Sequence, residues 1–293
     1  MSENVTSKPL HHRLRVDDHD RDSAGLTYVY PVISRRAGGV SVGINLNPNN
    51  ACNWQCVYCQ VPDLKRGPAP QIDLVQLEDE LRWMLGQIMH GDFMRTRVPE
   101  DVRRLNDVAF SGNGEPTTSK QFEECVALVG RVLADFELVG QIKLVLITNG
   151  SQLDRPDVQS ALDLMSRLNG EVWFKFDRAP DGHFNAVNQV VLSPVQVARR
   201  LRTSADLCST WLQTCMFAQD GQLPDATAIQ AWLDFVKARL NEGVLLQGVL
   251  LYGLARQPML PGASEHLSAA PAEWMEALKT QIQDLGLPVK LSV

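Results

Sequence analysis

From Val40 to the C-terminus, short stretches with strand character alternate with segments of helical apolar spacing, and no other feature restricts the fold of this chain as tightly. In residues 40–47, Val40, Val42, Ile44 and Leu46 share one face and Ser41, Gly43, Asn45 and Asn47 the other, the pattern of a strand with one polar side. Leu74, Leu77, Leu81, Met84, Leu85 and Ile88 recur at helical spacing and predict a helix over residues 74–89. Further strands are predicted at residues 108–111, 142–148, 171–177, 208–217, 244–252 and 289–293, with helices at 120–136, 156–168, 194–203, 226–240 and 272–285. Parallel strands joined by crossover helices satisfy that order. Six strand and helix pairs fall short of the eight that close a barrel, so the expected fold is α/β: a partial, splayed (β/α)6 TIM-like barrel with helices outside.

The 293 residues read as a polar, flexible N-terminal tail (residues 1–30) and one domain (residues 31–293). The tail carries His11, His12, Asp17, Asp18, His19 and Asp20 and lacks the apolar core of a secretory signal. No run reaches the roughly 18 apolar residues of a membrane span. A cytoplasmic protein with no membrane partner is expected. The net charge of −6 argues against a general nucleic-acid binder. Arg35, Arg36, Lys65, Arg66, Arg95, Arg97, Arg103 and Arg104 form either a basic rim for RNA phosphates or a solvated face, the latter favoured by the neighbouring Asp92, Glu100 and Asp101. The Pro-rich segments 62–70 and 257–268 read as irregular loops at strand ends.

Strand parity predicts a polar lumen. Val172, Phe174 and Phe176 point toward the helices, while Trp173, Lys175 and Asp177 point inward; Gln213 and Cys215 share a face of the next strand, and Gln247 offers a polar group on the one after. A lysine among Trp173, Phe174 and Phe176 is costly to bury unpaired, so Asp177 is a candidate partner. A neutral Lys175 would suit a Schiff base with a carbonyl substrate. Arg256, just past a strand end, is a candidate for holding a carboxylate or phosphate.

Six cysteines in a chain long enough to bury a core do not require disulfides, and three of them crowd one short window. Cys52, Cys56 and Cys59 have the spacing Cys-x3-Cys-x2-Cys directly after the first strand. Three thiolates on one loop can each bind a different iron of a cuboidal cluster, leaving the fourth iron open for reaction. A structural zinc site would need a fourth ligand, for which His90 and the tail histidines are the candidates. Tyr58 fits an aromatic wall beside the cofactor, and Cys125, Cys208 and Cys215 read as buried inert thiols.

The cysteine spacing, with an aromatic residue before the third cysteine, resembles the radical S-adenosylmethionine (SAM) superfamily over residues 31–293. Ser111-Gly112-Asn113-Gly114-Glu115-Pro116 resembles the superfamily's Gly-Gly-Glu-Pro motif, which implies that the turn and Glu115 bind the methionyl ammonium group. Ile147-Thr148-Asn149-Gly150 is similar to the segment that lies beside the adenosyl group, and Lys175 and Asp177 occupy the strand end where relatives place polar groups against ribose and carboxylate. Ser34-Arg35-Arg36, Gly43–Leu46, Trp173–Asp177 and Tyr252–Pro258 most resemble bacterial proteins grouped with the wyosine-synthesising enzymes; no cysteine precedes Cys52, so one cluster is expected.

The resemblance implies a [4Fe-4S] cluster on the three cysteines that chelates SAM through its open iron. An external one-electron donor of flavodoxin or ferredoxin type would drive cleavage to a 5′-deoxyadenosyl radical, which acts on a small-molecule or modified-RNA substrate. The alternatives are a non-catalytic iron–sulfur protein for electron transfer or redox sensing, and a zinc-stabilised binding module.

Overall fold

Six consecutive parallel pairings run through one curled sheet in the computed structural model, which describes residues 13–15, 25–34, 38–180 and 182–293. Its strands are β1 (Val29–Ser34), β2 (Gly39–Ile44), β3 (Leu105–Phe110), β4 (Lys143–Thr148), β5 (Gly170–Lys175), β6 (Ser209–Gln219), β7 (Leu246–Gly253), β8 (Leu267–Ala269) and β9 (Val289–Ser292). The order is β1-β2-β3-β4-β5-β6-β7-β9, with β8 antiparallel on the far end of β6. Helices α1 (Leu74–Met89), α2 (Phe122–Asp135), α3 (Pro156–Arg167), α4 (Pro194–Leu207), α5 (Ala226–Asn241) and α6 (Ala272–Gln283) supply the crossovers and the outer layer. The expected partial barrel is therefore the observed one.

Local chemistry explains the helix starts. The Asp73 side chain accepts from the backbone N–H groups of Val75 and Gln76 at the head of α1, and Pro156 and Pro194 sit in the first turns of α3 and α4. Val42, Val108, Leu144, Val172 and Phe174 turn outward into the main core beneath the helices. On the opposite face, Ala109, Val145, Trp173 and Leu250 form a separate apolar cluster inside the barrel. Polar side chains share that inner face: Ser41 and Asp107, hydrogen-bonded to each other, line the same interior as Ala109 and Trp173.

Several sequence expectations are corrected here. Strand β1 starts at Val29, inside the segment read as tail, and pairs antiparallel with β2. Pro31 is tolerated because β1 is an edge strand. Glu80 of α1, buried, accepts from the backbone N–H groups of Thr27, Tyr28 and Val29 and so satisfies the donors at the entry to that strand. Leu14 is buried against the core, its N–H bonded to the Arg97 carbonyl at 2.8 Å. The segment read as an irregular loop after residue 257 contains a short helix, Ala263–His266, followed by β8. Gln247 is exposed: a bulge pairs Thr210 with Leu246 and Trp211 with Gly248, skipping Gln247 and turning it away from the lumen.

The described basic residues of that set do not gather into one rim. Lys65 and Arg66 lie on a two-stranded ladder with Ala51–Cys52 at the C-terminal strand ends, whereas Arg95, Arg97, Arg103 and Arg104 precede β3 at the opposite end. Arg103 and Arg104 donate to backbone carbonyls, and Arg95 pairs with Asp92. Arg35, Arg36 and the tail residues His11, His12, Asp17, Asp18, His19 and Asp20 lie outside the described residues. Among the described residues no helix is long and apolar enough to cross a membrane.

Candidate functional site

A cavity of about 250 Å3 opens at the C-terminal strand ends, where a parallel barrel presents its loops. Cys52, Cys56, Cys59, Tyr58, Ser111, Gly112, Asn113, Gly114, Glu115, Asn149, Lys175 and Arg256 all line it. Residues far apart in sequence thus meet at one place. Of the other expected site residues, Thr148 and Asp177 are fully buried beside the cavity, and their side chains hydrogen-bond to Glu115 and Tyr58, which line it. Gln213 and Cys215 both line the wall, on the shared strand face that the sequence predicts, and Cys215 is fully buried there; Cys125 and Cys208 are packed in the main core.

Asparagines tie the cysteine loop to the strand ends. Asn45 Oδ1 accepts from the backbone N–H of Asn47 and of Asn113, the residue that separates the two glycines of the motif. Asn113 Nδ2 in turn donates to Asn50 Oδ1 at 2.6 Å, and Asn149 Nδ2 to Asn53 Oδ1 at 2.9 Å. The motif glycines are needed because the loop passes so close. A Cβ on Gly112, whose φ is +138°, would lie 2.4 Å from Asn45 Oδ1, and one on Gly114 only 2.0 Å from the Ala51 carbonyl oxygen. Gly114→Ala must push the backbone beside Cys52; a loss of about 3 kcal/mol in urea unfolding is expected, and an unchanged midpoint would mean the loop yields freely.

Glu115 is 3% exposed. Its Oε1 accepts from the Thr117 N–H at 3.2 Å and from the hydroxyls of Thr117 and Thr148, and its Oε2 from the Asn149 N–H at 2.6 Å. Burial raises its pKa against these bonds, which favour the anion. With one donor on Oε2, the carboxylate keeps acceptor capacity.

Asp177, completely buried, is the hub of a network. Its Oδ2 accepts from the Tyr58 hydroxyl and from Asn188 Nδ2, the latter at 2.8 Å, and its Oδ1 from the Cys215 N–H at 2.8 Å. Asn188 closes the short helix Gly182–Asn188, whose end is fastened to the cysteine loop by Val57 N–H on the Val187 carbonyl and by an edge contact between Trp54 and Phe184. Sequence reading missed Asn188, which carries no motif of its own. Lys175 Nζ lies 5.2 Å from the Tyr58 ring centroid. Burial works against its charge, while Tyr252, Asp177, Cys56 and Cys215 around it raise its pKa above the ordinary lysine value.

The three cysteines suit a cluster. All six cysteines are free thiols, and these three are partly buried on one cavity wall. Burial pushes the Cys52 thiol up to about 11 and Cys56 to about 12, so binding iron must displace their protons. Among the described residues no three His, Cys, Asp or Glu side chains converge on a single metal ion. His90 is exposed at the end of α1, stacked on Phe136, and far from the loop in the fold.

No protein-family model matches the chain. It is 29% identical over 160 residues to UPF0026 protein MJ1312 of Methanocaldococcus jannaschii, covering 50% of this chain and 43% of that protein. It is 25% identical over 132 residues to GTPase Obg of Brachyspira hyodysenteriae, covering 45% of this chain and 17% of that protein. The chain thus spans less than half the length of either relative. It contains no Gly-Lys pair, and hence no Gly-x4-Gly-Lys-Ser/Thr phosphate loop.

Among solved structures, TYW1 with a lysine–pyruvate adduct bound matches with a TM-score of 0.55 at 12% identity, over 86% of this chain and 74% of that one. A radical SAM methyltransferase from Sphaerobacter thermophilus matches at 0.56 and 14%, over 90% and 68%. Coproporphyrinogen III oxidase from Escherichia coli, a radical SAM enzyme, matches at 0.50 and 12%, over 83% and 51%. The partial barrel is the fold of radical SAM enzymes, TYW1 among them, and the resemblance carried by the cysteine loop holds at the level of fold.

Proposed function

We propose that this chain is a cytoplasmic radical SAM enzyme, with Cys52, Cys56 and Cys59 holding a [4Fe-4S] cluster and the adjoining cavity holding SAM and a substrate. One juxtaposition carries the reading: three thiols of one loop and the turn ending in Glu115 open on the same cavity, at the C-terminal mouth of a barrel shared with radical SAM enzymes. The cluster, when bound, supplies the electron that splits SAM, received from an external flavodoxin- or ferredoxin-type donor.

The chain's own groups position and shield the reactants. Glu115 Oε2 and the glycine turn face the cavity as acceptors for the methionyl ammonium. Lys175 and Arg256 present cations from two sides for carboxylates of SAM or substrate. Tyr58 and Trp54 wall off water beside the cysteines. The cavity volume and the division of basic residues between the two ends of the barrel favour a small molecule over modified RNA.

Anaerobically reconstituted, dithionite-reduced protein is incubated with SAM and assayed for 5′-deoxyadenosine by mass spectrometry. Formation of 5′-deoxyadenosine and methionine is the expected result. A cluster-bearing protein that yields neither is a non-catalytic iron–sulfur protein, and the enzymatic reading fails.

A further inference from the structure

The Cys56 sulfur has a partner of a kind the other two cysteines lack. Asn188, completely buried, directs Nδ2 to Cys56 Sγ at 3.2 Å and to Asp177 Oδ2 at 2.8 Å. Among the described residues, Cys52 Sγ accepts only from the backbone N–H of Trp54, at 3.5 Å, and Cys59 Sγ has no side-chain donor. The oxygen of the same amide, Oδ1, is buried without any partner. Turning the amide over would aim that oxygen at the Asp177 carboxylate, which can only accept, so the orientation is dictated by its surroundings. An amide that leaves its own acceptor unpaired is a poor way to fill space, since an apolar side chain of that size would leave no orphan. What the amide provides, and leucine would not, is an N–H on sulfur.

Asp177 keeps that N–H on target. Its carboxylate is fixed by the Tyr58 hydroxyl and the Cys215 N–H and holds Asn188 by a second bond from Nδ2. The network therefore runs from a strand end, through a buried anion and a neutral amide, to one cysteine sulfur.

We propose that Asn188 is a positioning residue that raises the reduction potential of a cluster held by Cys56, easing entry of the electron; this rests on the reading above. One electron passes from the external donor to the cluster, with no bond formed or broken. That electron adds negative charge to the sulfurs, and a hydrogen-bond donor on sulfur stabilises the reduced form more than the oxidised one. The bonds from backbone N–H groups survive any side-chain exchange, so Asn188 is the place where substitution can change this balance.

The test uses reconstituted wild-type, Asn188→Leu and Asn188→Ala proteins, without SAM. Iron content is measured first; dithionite titration with mediator dyes then follows the electron paramagnetic resonance signal of the reduced cluster against potential. Both variants should keep the wild-type iron content and show midpoints shifted to more negative potential. The shift should be smaller for alanine, which leaves room for a water to donate in place of the amide. An unchanged midpoint in Asn188→Leu overturns the proposal, and if leucine fails to fold, an unchanged midpoint in Asn188→Ala does so. Loss of iron from both variants also overturns it, because Asn188 would then be holding the loop and not setting the potential. Wild-type protein that takes up no four-iron cluster fails the functional reading itself, and that is evident before any titration.

Discussion

Cys56→Ala abolishes iron binding: anaerobic reconstitution that loads about four iron per wild-type chain leaves the variant close to none, and the brown charge-transfer absorption is lost with it. The three cysteines stand on one loop against one cavity, and of the other three cysteines only Cys215 lines it. Cys215, the remaining thiol of the wall, is on β6 with its backbone N–H held by Asp177, so it cannot swing into the loop. With one thiolate gone, an iron of the cuboid loses its protein ligand and the cluster is labile. Cys125→Ala is the matched control: Cys125 is buried in α2, away from the cavity, and its removal leaves iron content unchanged. Iron and sulfide analysis of both variants checks the pair of outcomes. Full cluster content in Cys56→Ala would remove the cysteine triad from the account.

Asp177→Leu is the substitution with the largest expected cost in stability, about 3–5 kcal/mol. The carboxylate takes three buried donors, from Tyr58, Asn188 and Cys215, and each donor left without an acceptor costs roughly 1–3 kcal/mol, though not additively. Arg178 compounds the loss. It is buried over the Phe217 ring, where desolvation already lowers its pKa, and Asp177 is the first charge that opposes that shift. Asp177→Asn keeps the shape and one acceptor, so its loss is smaller, about half as large. Urea unfolding followed by tryptophan fluorescence measures both. A loss below about 1 kcal/mol in Asp177→Leu would show that the network contributes little to folding and that the cysteine loop is held by the asparagines alone.

These two residues differ in how they could be found. Cys56 announces itself by spacing, because ligands to one cluster must come from one short loop. The inward direction of Asp177 follows from the two-residue strand period, but its role does not. The sequence suggested a contact with the cofactor or with Lys175; the fold adds three hydrogen-bond partners from 119, 11 and 38 residues away, and Asp177 is also among the groups that raise the Lys175 pKa. Asn188 shows the same limit more sharply: nothing in its neighbourhood along the chain marks it, and only docking of the helix end on the cysteine loop makes it a donor to sulfur.

Periodicity and spacing are local quantities, and what depends on them was legible in the chain itself: α1 over Leu74–Met89, the inward and outward faces of β5, the six strand and helix pairs, and the cysteine triad. What depends on distant partners was settled only by packing. The Glu80 carboxylate at the head of β1, the bulge that expels Gln247, the separation of the basic residues to opposite barrel ends, and the network around Asp177 are of that kind. A side chain's periodic position fixes the direction in which it leaves the backbone; its charge state, its partners and its chemistry are set by whatever group, dozens of residues away, the fold brings to meet it.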